Sequence, residues 1–209
     1  FGHALHGLLS DCTYESLSGT NVPRDFVELP SQIMENWASE PEVLKMYARH
    51  FETNEPMPDE LVEKIIKARH FNQGFETTEY LAASFLDMDW HTQTEAKPEL
   101  DTLAFENKSL DEIGLIPEII SRYRSPYFQH IFAGGYSSGY YSYIWSAVLD
   151  ADAFEAFKET GDLFDQKTAK SFRKDVLSKG NSDDPMTLYK QFRGKEPAIE
   201  PLLKRRGLD

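Results

Sequence analysis

Histidine, glutamate and tyrosine are the residues here whose spacing can do chemistry. The chain begins FGHALHG, with His3 behind a phenylalanine and a glycine. Preceded by His-Glu, that run would read H-E-F-G-H, the H-E-x-x-H pattern that sets two imidazoles on one helix face and on one zinc. The sequence holds the last three letters of that pattern. His3 gains weight from Glu28, 25 positions later in RDFVELPSQIMENW, because a carboxylate from a neighbouring helix is a common partner of histidine on zinc. Such donors favour zinc first, with cobalt or manganese as substitutes. His6 follows His3 at i+3, a spacing that a ligand can use, but it reads as structural. Asp25, Ser31, Gln32 and Glu35 lie within seven positions of Glu28, so some share its helix face and can orient its carboxylate. Glu35 has two readings, a carboxylate hydrogen-bonded to a zinc histidine or a solvated glutamate.

A second cluster is HIFAGGYSSGYYSYIW, which packs three glycines and four tyrosines into sixteen residues. Glycines permit positive φ and close approach, and let a loop move. Tyrosine hydroxyls are protonated near neutral pH and can donate to an oxyanion. A helix starting in this loop would put Tyr136, Tyr140 and Tyr143 on one face at i, i+4 and i+7 and turn Tyr141 elsewhere. The bland reading of that stripe is packing against a neighbouring helix.

These groups must be carried by helices. Residues 2–9 read as the end of a helix. TNVPRDFVELPSQIMENWAS has Pro23 near a helix start and apolar positions at Phe26, Val27, Leu29, Ile33, Met34 and Trp37, close to a 3.6-residue period. SEPEVLKMYARHF, PDELVEKIIKARHFNQG (ending near Gly74) and ETTEYLAASFLDMDWHTQ continue the pattern, and TEAKPELDTLAFENKSLDEIGLIPE reads as irregular with a short helix. After the glycine loop comes a long helix, then three shorter ones, each stopping at a glycine. FQHIFAG is the best strand candidate. The three tryptophans, Trp37, Trp90 and Trp145, read as core anchors. The predicted fold class is all-α, with no linker dividing it.

With 209 residues, 40% hydrophobic and 27% charged, the composition is that of a globular chain large enough for one domain or two small ones. A net charge of −13 argues against nucleic acid as a partner. No apolar run approaches a membrane span. A single cysteine excludes a disulfide framework and points to the cytoplasm by default.

The stretches FGHALHG, LSGTNVPRDFVELPSQIMENW and HIFAGGYSSGYYSYIW, in that order, resemble the thimet oligopeptidase and peptidyl-dipeptidase family of zinc metallopeptidases. The tail LSKGNSDDPMTLYKQFRGKEPAIEPLLKRRGL is most similar to the bacterial peptidyl-dipeptidase branch. The resemblance covers nearly the whole chain. It implies the C-terminal part of a two-lobed, helical, zincin-like peptidase with a deep substrate channel, residues 1–209 starting inside the H-E-x-x-H motif of the catalytic domain. It implies one zinc, held here by His3 and Glu28, with Glu35, Asp25 and Ser31 supporting the ligands. The first zinc histidine and the glutamate that acts as general base fall before Phe1. Tyr143 and Tyr140 match oxyanion or scissile-carbonyl contacts, and His130, Gly134, Gly135 and Tyr136 match the substrate-binding loop. The His130–Tyr136 spacing is one residue longer than in the oligopeptidase branch, as in the peptidyl-dipeptidase branch. The implied activity is hydrolysis of short peptides by a longer parent, releasing dipeptides from a free C-terminus, with the 209 residues inactive alone. The second reading is a non-catalytic helical domain that self-associates or binds a partner through exposed apolar faces. A His-Glu pair before Phe1 would favour the first reading.

Overall fold

In a computed structural model, residues 1–95 and 99–208 are described, and their regular elements are helices. The order is α1 (Gly2–Leu8), α2 (Arg24–Val27), α3 (Leu29–Ala38), α4 (Pro41–Tyr47), α5 (Asp59–Ala68), α6 (Gln73–His91), α7 (Thr102–Glu112), α8 (Gln129–Phe132), α9 (Ser142–Lys158), α10 (Gln166–Phe172), α11 (Pro185–Arg193) and α12 (Glu200–Arg205). The all-α class is therefore what the chain adopts. Among the described residues the only extended pairing is an isolated antiparallel bridge between Arg49 and Pro56. FQHIFAG, the strand candidate, is helical over α8, because its amides bond locally to the carbonyls of Gln129 and its neighbours. No described helix is long and apolar enough to cross a membrane.

Several boundaries differ from the periodic reading. The helix expected through Glu28 is two, α2 and α3, with Glu28 at their junction and Pro30 in the first turn of α3. A proline has no N–H to give to a preceding turn, so the ladder restarts there. Gly74 ends nothing and sits in the first turn of α6. Asn72, which precedes α6, stands in the left-handed region at φ 57°. Of the stretch read as irregular with a short helix, residues 96–98 lie outside the described residues, and the helix is α7 at Thr102–Glu112, capped by the Asp101 carboxylate accepting from the amides of Leu103 and Ala104.

The chain divides into two compact units, one made of Phe1–Phe71 with the segment from Ile144 onward and the other of Asn72–Tyr143. No linker composition marks the division because one boundary falls inside the continuous helix α9. In the first unit, α9 is buried on every side from Ser146 to Phe154. Leu149, Ala153, Phe154 and Phe157 share a core with Leu29 and Ile33 of α3 and with Phe172, Val176 and Tyr189. Trp37 packs edge-on against Phe154 and Phe157 at centroid distances of 4.7 and 4.8 Å. Each such side chain, fully buried, contributes about 1.5–3 kcal/mol. In the second unit Ala83, Phe128, Ile131 and Tyr140 form the core, with Trp90 against them. Trp145 departs from its expected core role and lies half-exposed in an open apolar pocket beside Pro23, Phe26 and Met186.

Candidate active site

Within the first unit, α1 lies directly on α3. A Cβ on Gly2 would stand 1.9 Å from the Pro30 carbonyl oxygen and 2.6 Å from the Ser31 Cα, so only glycine permits this approach. The contact brings His3, the next residue, to Glu28: His3 Nε2 lies 3.0 Å from Glu28 Oε2. Ser31 Oγ donates to the same oxygen at 2.6 Å. The Glu28 side chain is 10% exposed and that of His3 44%, so the carboxylate is held while the imidazole faces outward. Asp25 is half-buried, its carbonyl accepting from Ser146 Oγ at 3.1 Å. Glu35 is exposed.

Two ligands on a tetrahedral zinc with bonds of about 2.0 Å stand about 3.3 Å apart. The 3.0 Å separation of the two donor atoms fits that arrangement. Among the described residues no group of three or more His, Cys, Asp or Glu side chains is placed to hold a metal. His6, one turn after His3, is fully buried, and neither ring nitrogen has a hydrogen-bond partner among the described residues. Burial, with His3 nearby, pushes its pKa down to about 4, so it is a neutral imidazole at physiological pH.

Within the second unit, the glycine–tyrosine loop runs from α8 to α9. A Cβ on Gly134 would stand 2.8 Å from the His130 Cα, so the chain turns tightly against α8. Gly135 and Ser138 take positive φ, 80° and 54°. These left-handed residues stop a helix from forming, and α9 starts only at Ser142. Tyr136 and Tyr140 thus do not share a helix with Tyr143. The three rings gather nonetheless: Tyr136 stacks on Tyr143 at 5.0 Å, and Tyr140 meets Tyr143 edge-on at 5.3 Å. His130 touches all three, at 6.2, 5.7 and 6.3 Å. Its Nδ1 is buried without a hydrogen-bond partner among the described residues, so it can meet an added donor or acceptor. Burial pushes the Tyr140 hydroxyl far above its ordinary pKa, keeping it a proton donor. Tyr141 is exposed.

Sequence reasoning missed the residues that shape this loop from α6 and from the segment before α8. Tyr80 Oη donates to the Tyr140 carbonyl at 2.6 Å, and the rings of the two stack at 5.4 Å. Tyr123 stacks on Phe128 and leans on His130. Asp87 is fully buried. The one signal that could have found it is an acid standing beside Ala83, Leu86 and Trp90 on the apolar side of α6.

A model described as peptidase family M3 matches residues 1–208. The chain is 49% identical over 210 residues to the dipeptidyl carboxypeptidase of Salmonella typhimurium strain LT2, covering all of this chain and 31% of that protein. Against the oligopeptidase A of Escherichia coli K12 the identity is 43%, again over the whole chain and 31% of the relative. The organellar oligopeptidase A of Arabidopsis thaliana is 38% identical, with 27% of its length covered. The chain spans under a third of the length of these relatives.

Proposed function

The chain belongs to peptidase family M3, and from that premise we propose that it is the part of a longer zinc peptidase that supplies two metal ligands and the tyrosine loop. The proposed reaction is hydrolysis of short peptides, with release of C-terminal dipeptides. The observation that carries the metal reading is the convergence of His3 Nε2 and Glu28 Oε2, with Ser31 Oγ on the same carboxylate.

Zinc, when bound, polarises a peptide carbonyl and acidifies its water toward neutrality. His3 lends its Nε2 and Glu28 its Oε2. Ser31, by donating to that carboxylate, fixes its orientation and lowers the entropy lost on binding. Tyr140 and Tyr143 donate hydroxyl protons to the oxyanion that grows on the attacked carbonyl, an interaction stronger in the transition state than in the substrate. His130, Gly134, Gly135 and Tyr136 hold the peptide backbone. The base and the further imidazole come from sequence outside these 209 residues. The dipeptide specificity rests on the 49% identity to a protein named dipeptidyl carboxypeptidase. The lone Cys12, a free thiol, supports a reducing compartment and hence the cytoplasm.

The test uses the full-length protein with one peptide prepared with a free and with an amidated C-terminus. Successive dipeptides should leave only the free form, activity should vanish with a chelator, and zinc should restore it. Internal cleavage of the amidated peptide would sink the dipeptidase assignment, and chelator-insensitive cleavage would sink the metal. The isolated 209 residues, with two donors, should retain less than about a tenth of an equivalent of zinc and cleave neither peptide. Large exposed apolar side chains, Phe51 at 89% and Phe71 at 75%, favour self-association as the second reading. A zinc-free dimer of the full-length protein, inactive on both peptides, would be the outcome in its favour.

A further inference from the structure

We infer that Asp87 is a positioning residue for the tyrosine loop, acting through the backbone of Ser138 and Tyr140 and never on substrate. Its carboxylate is fully buried on α6. Oδ1 accepts from the Ser138 amide at 3.0 Å, and Oδ2 accepts from the Tyr140 amide at 2.9 Å. One turn along α6, His91 Nδ1 lies 2.8 Å from Asp87 Oδ1 and 2.9 Å from the Asp87 carbonyl. Both neighbours of that nitrogen are acceptors, so Nδ1 carries the proton and donates. Both carboxylate oxygens are therefore satisfied by directed N–H groups, two of them from the loop.

The loop needs such an anchor. Ser138 stands at φ 54°, a region that side-chain-bearing residues rarely occupy. The hydrogen bond from its amide to Asp87 holds it there. One residue on from Gly139, the Tyr140 peptide units are gripped from the same helix on both sides, by Asp87 at the N–H and by Tyr80 Oη at the C=O. Tyr80 and Asp87 are seven residues apart, two helical turns, so both project from one face of α6. That face also buries Ala83 against the Tyr140 side of the core. Setting the backbone at Tyr140 sets where its ring stands against Tyr143, 5.3 Å away, and where His130 meets both. A carboxylate is the group suited to this. It presents two acceptors in one plane, and charge-assisted bonds to backbone amides are about twice as strong as neutral ones.

The catalytic consequence rests on the role proposed above for Tyr140 and Tyr143, while the latch does not. The test is Asp87→Asn in the full-length protein, which keeps shape but turns an NH2 toward one of the two loop amides. Hydrogen exchange at the Ser138 and Tyr140 amides should quicken about tenfold or more, with the second half of α9 keeping its wild-type rates. Turnover per bound zinc should fall about tenfold or more, with KM within about threefold. Adding Ser138→Gly should recover about half of that loss on a logarithmic scale, since glycine takes φ near 54° without steric cost. A carboxylate that merely stabilises α6 would not be rescued from the loop. Tyr80→Phe, a milder change that keeps the ring stack, should move the same readouts in the same direction. Unchanged exchange at both amides, or faster exchange with unchanged turnover, overturns the inference. If the wild-type protein cleaves no peptide, the function proposed above falls, and the exchange rates alone still decide for or against the latch.

Discussion

His6 shows how burial at a single residue becomes a pH dependence. Its ring is enclosed between α1 and its neighbours, and its folded pKa of about 4 lies below the usual 6.5. In the unfolded chain the imidazole takes a proton that the folded chain refuses. Stability is therefore complete above about pH 6.5 and is lost as the pH falls toward 4. The full difference is worth about 3 kcal/mol. Urea unfolding of the metal-free chain at a series of pH values should show this loss. His6→Phe should lose about 3 kcal/mol less than wild type over the same window. Equal slopes for the two would mean that another group carries the acid sensitivity. Motif spacing and the family resemblance together marked His3, Glu28 and the tyrosines. They did not mark Asp87, because an aspartate in a helix is ordinarily a solvated group, and only the fold shows what lies against it.

At the scale of elements, the metal pair depends on how closely two helices approach. Gly2 lets α1 lie on the start of α3, and the atoms that a Cβ would strike are backbone, which cannot swing aside. Gly2→Ala should cost about 1–3 kcal/mol as overpacking and move His3 away from Glu28. In the full-length protein it should weaken zinc binding more than Ser31→Ala does, as read by competition with a chromogenic chelator. Unchanged affinity would mean that α1 sits on α3 less firmly than the 3.0 Å ligand separation implies. The periodic apolar positions marked α3 well enough, but its start was misjudged, since Pro30 divides what reads as one amphipathic run. Where the loop becomes helix was likewise illegible. Gly135 and Ser138 both turn left-handed, and serine gives no warning of that.

At the scale of the molecule, α9 is the element that the first unit is built on, and it buries two acids. Asp152 accepts from Tyr189 Oη at 2.7 Å and pairs with Arg193 Nε at 3.1 Å, while Asp150 pairs with Arg205 and accepts from Asn36 Nδ2 at 2.8 Å. These pairs fasten α11, α12 and α3 to one helix. Asp152→Ala would take the buried carboxylate from Arg193, whose side chain is only 7% exposed, and leave the Tyr189 hydroxyl only the Leu149 carbonyl, 3.2 Å away, as acceptor. A loss of about 3–5 kcal/mol is expected in equilibrium unfolding. A loss under about 1 kcal/mol would show that Glu159, 2.6 Å from Arg193 Nη2, suffices by itself.

By itself, the sequence determined the helical class, the family and the residue types of the candidate site. Helical periodicity is a local property, and motif spacing needs no contact to be read. Only the tertiary structure decided that Glu28 lies at a helix junction within reach of His3, that Tyr136 and Tyr140 stand outside the helix that bears Tyr143, and that Asp87 faces loop amides more than fifty residues away. Those outcomes depend on which surfaces exclude water together and on where backbone N–H groups find acceptors. Both are settled between segments distant in the chain, where local pattern carries no information.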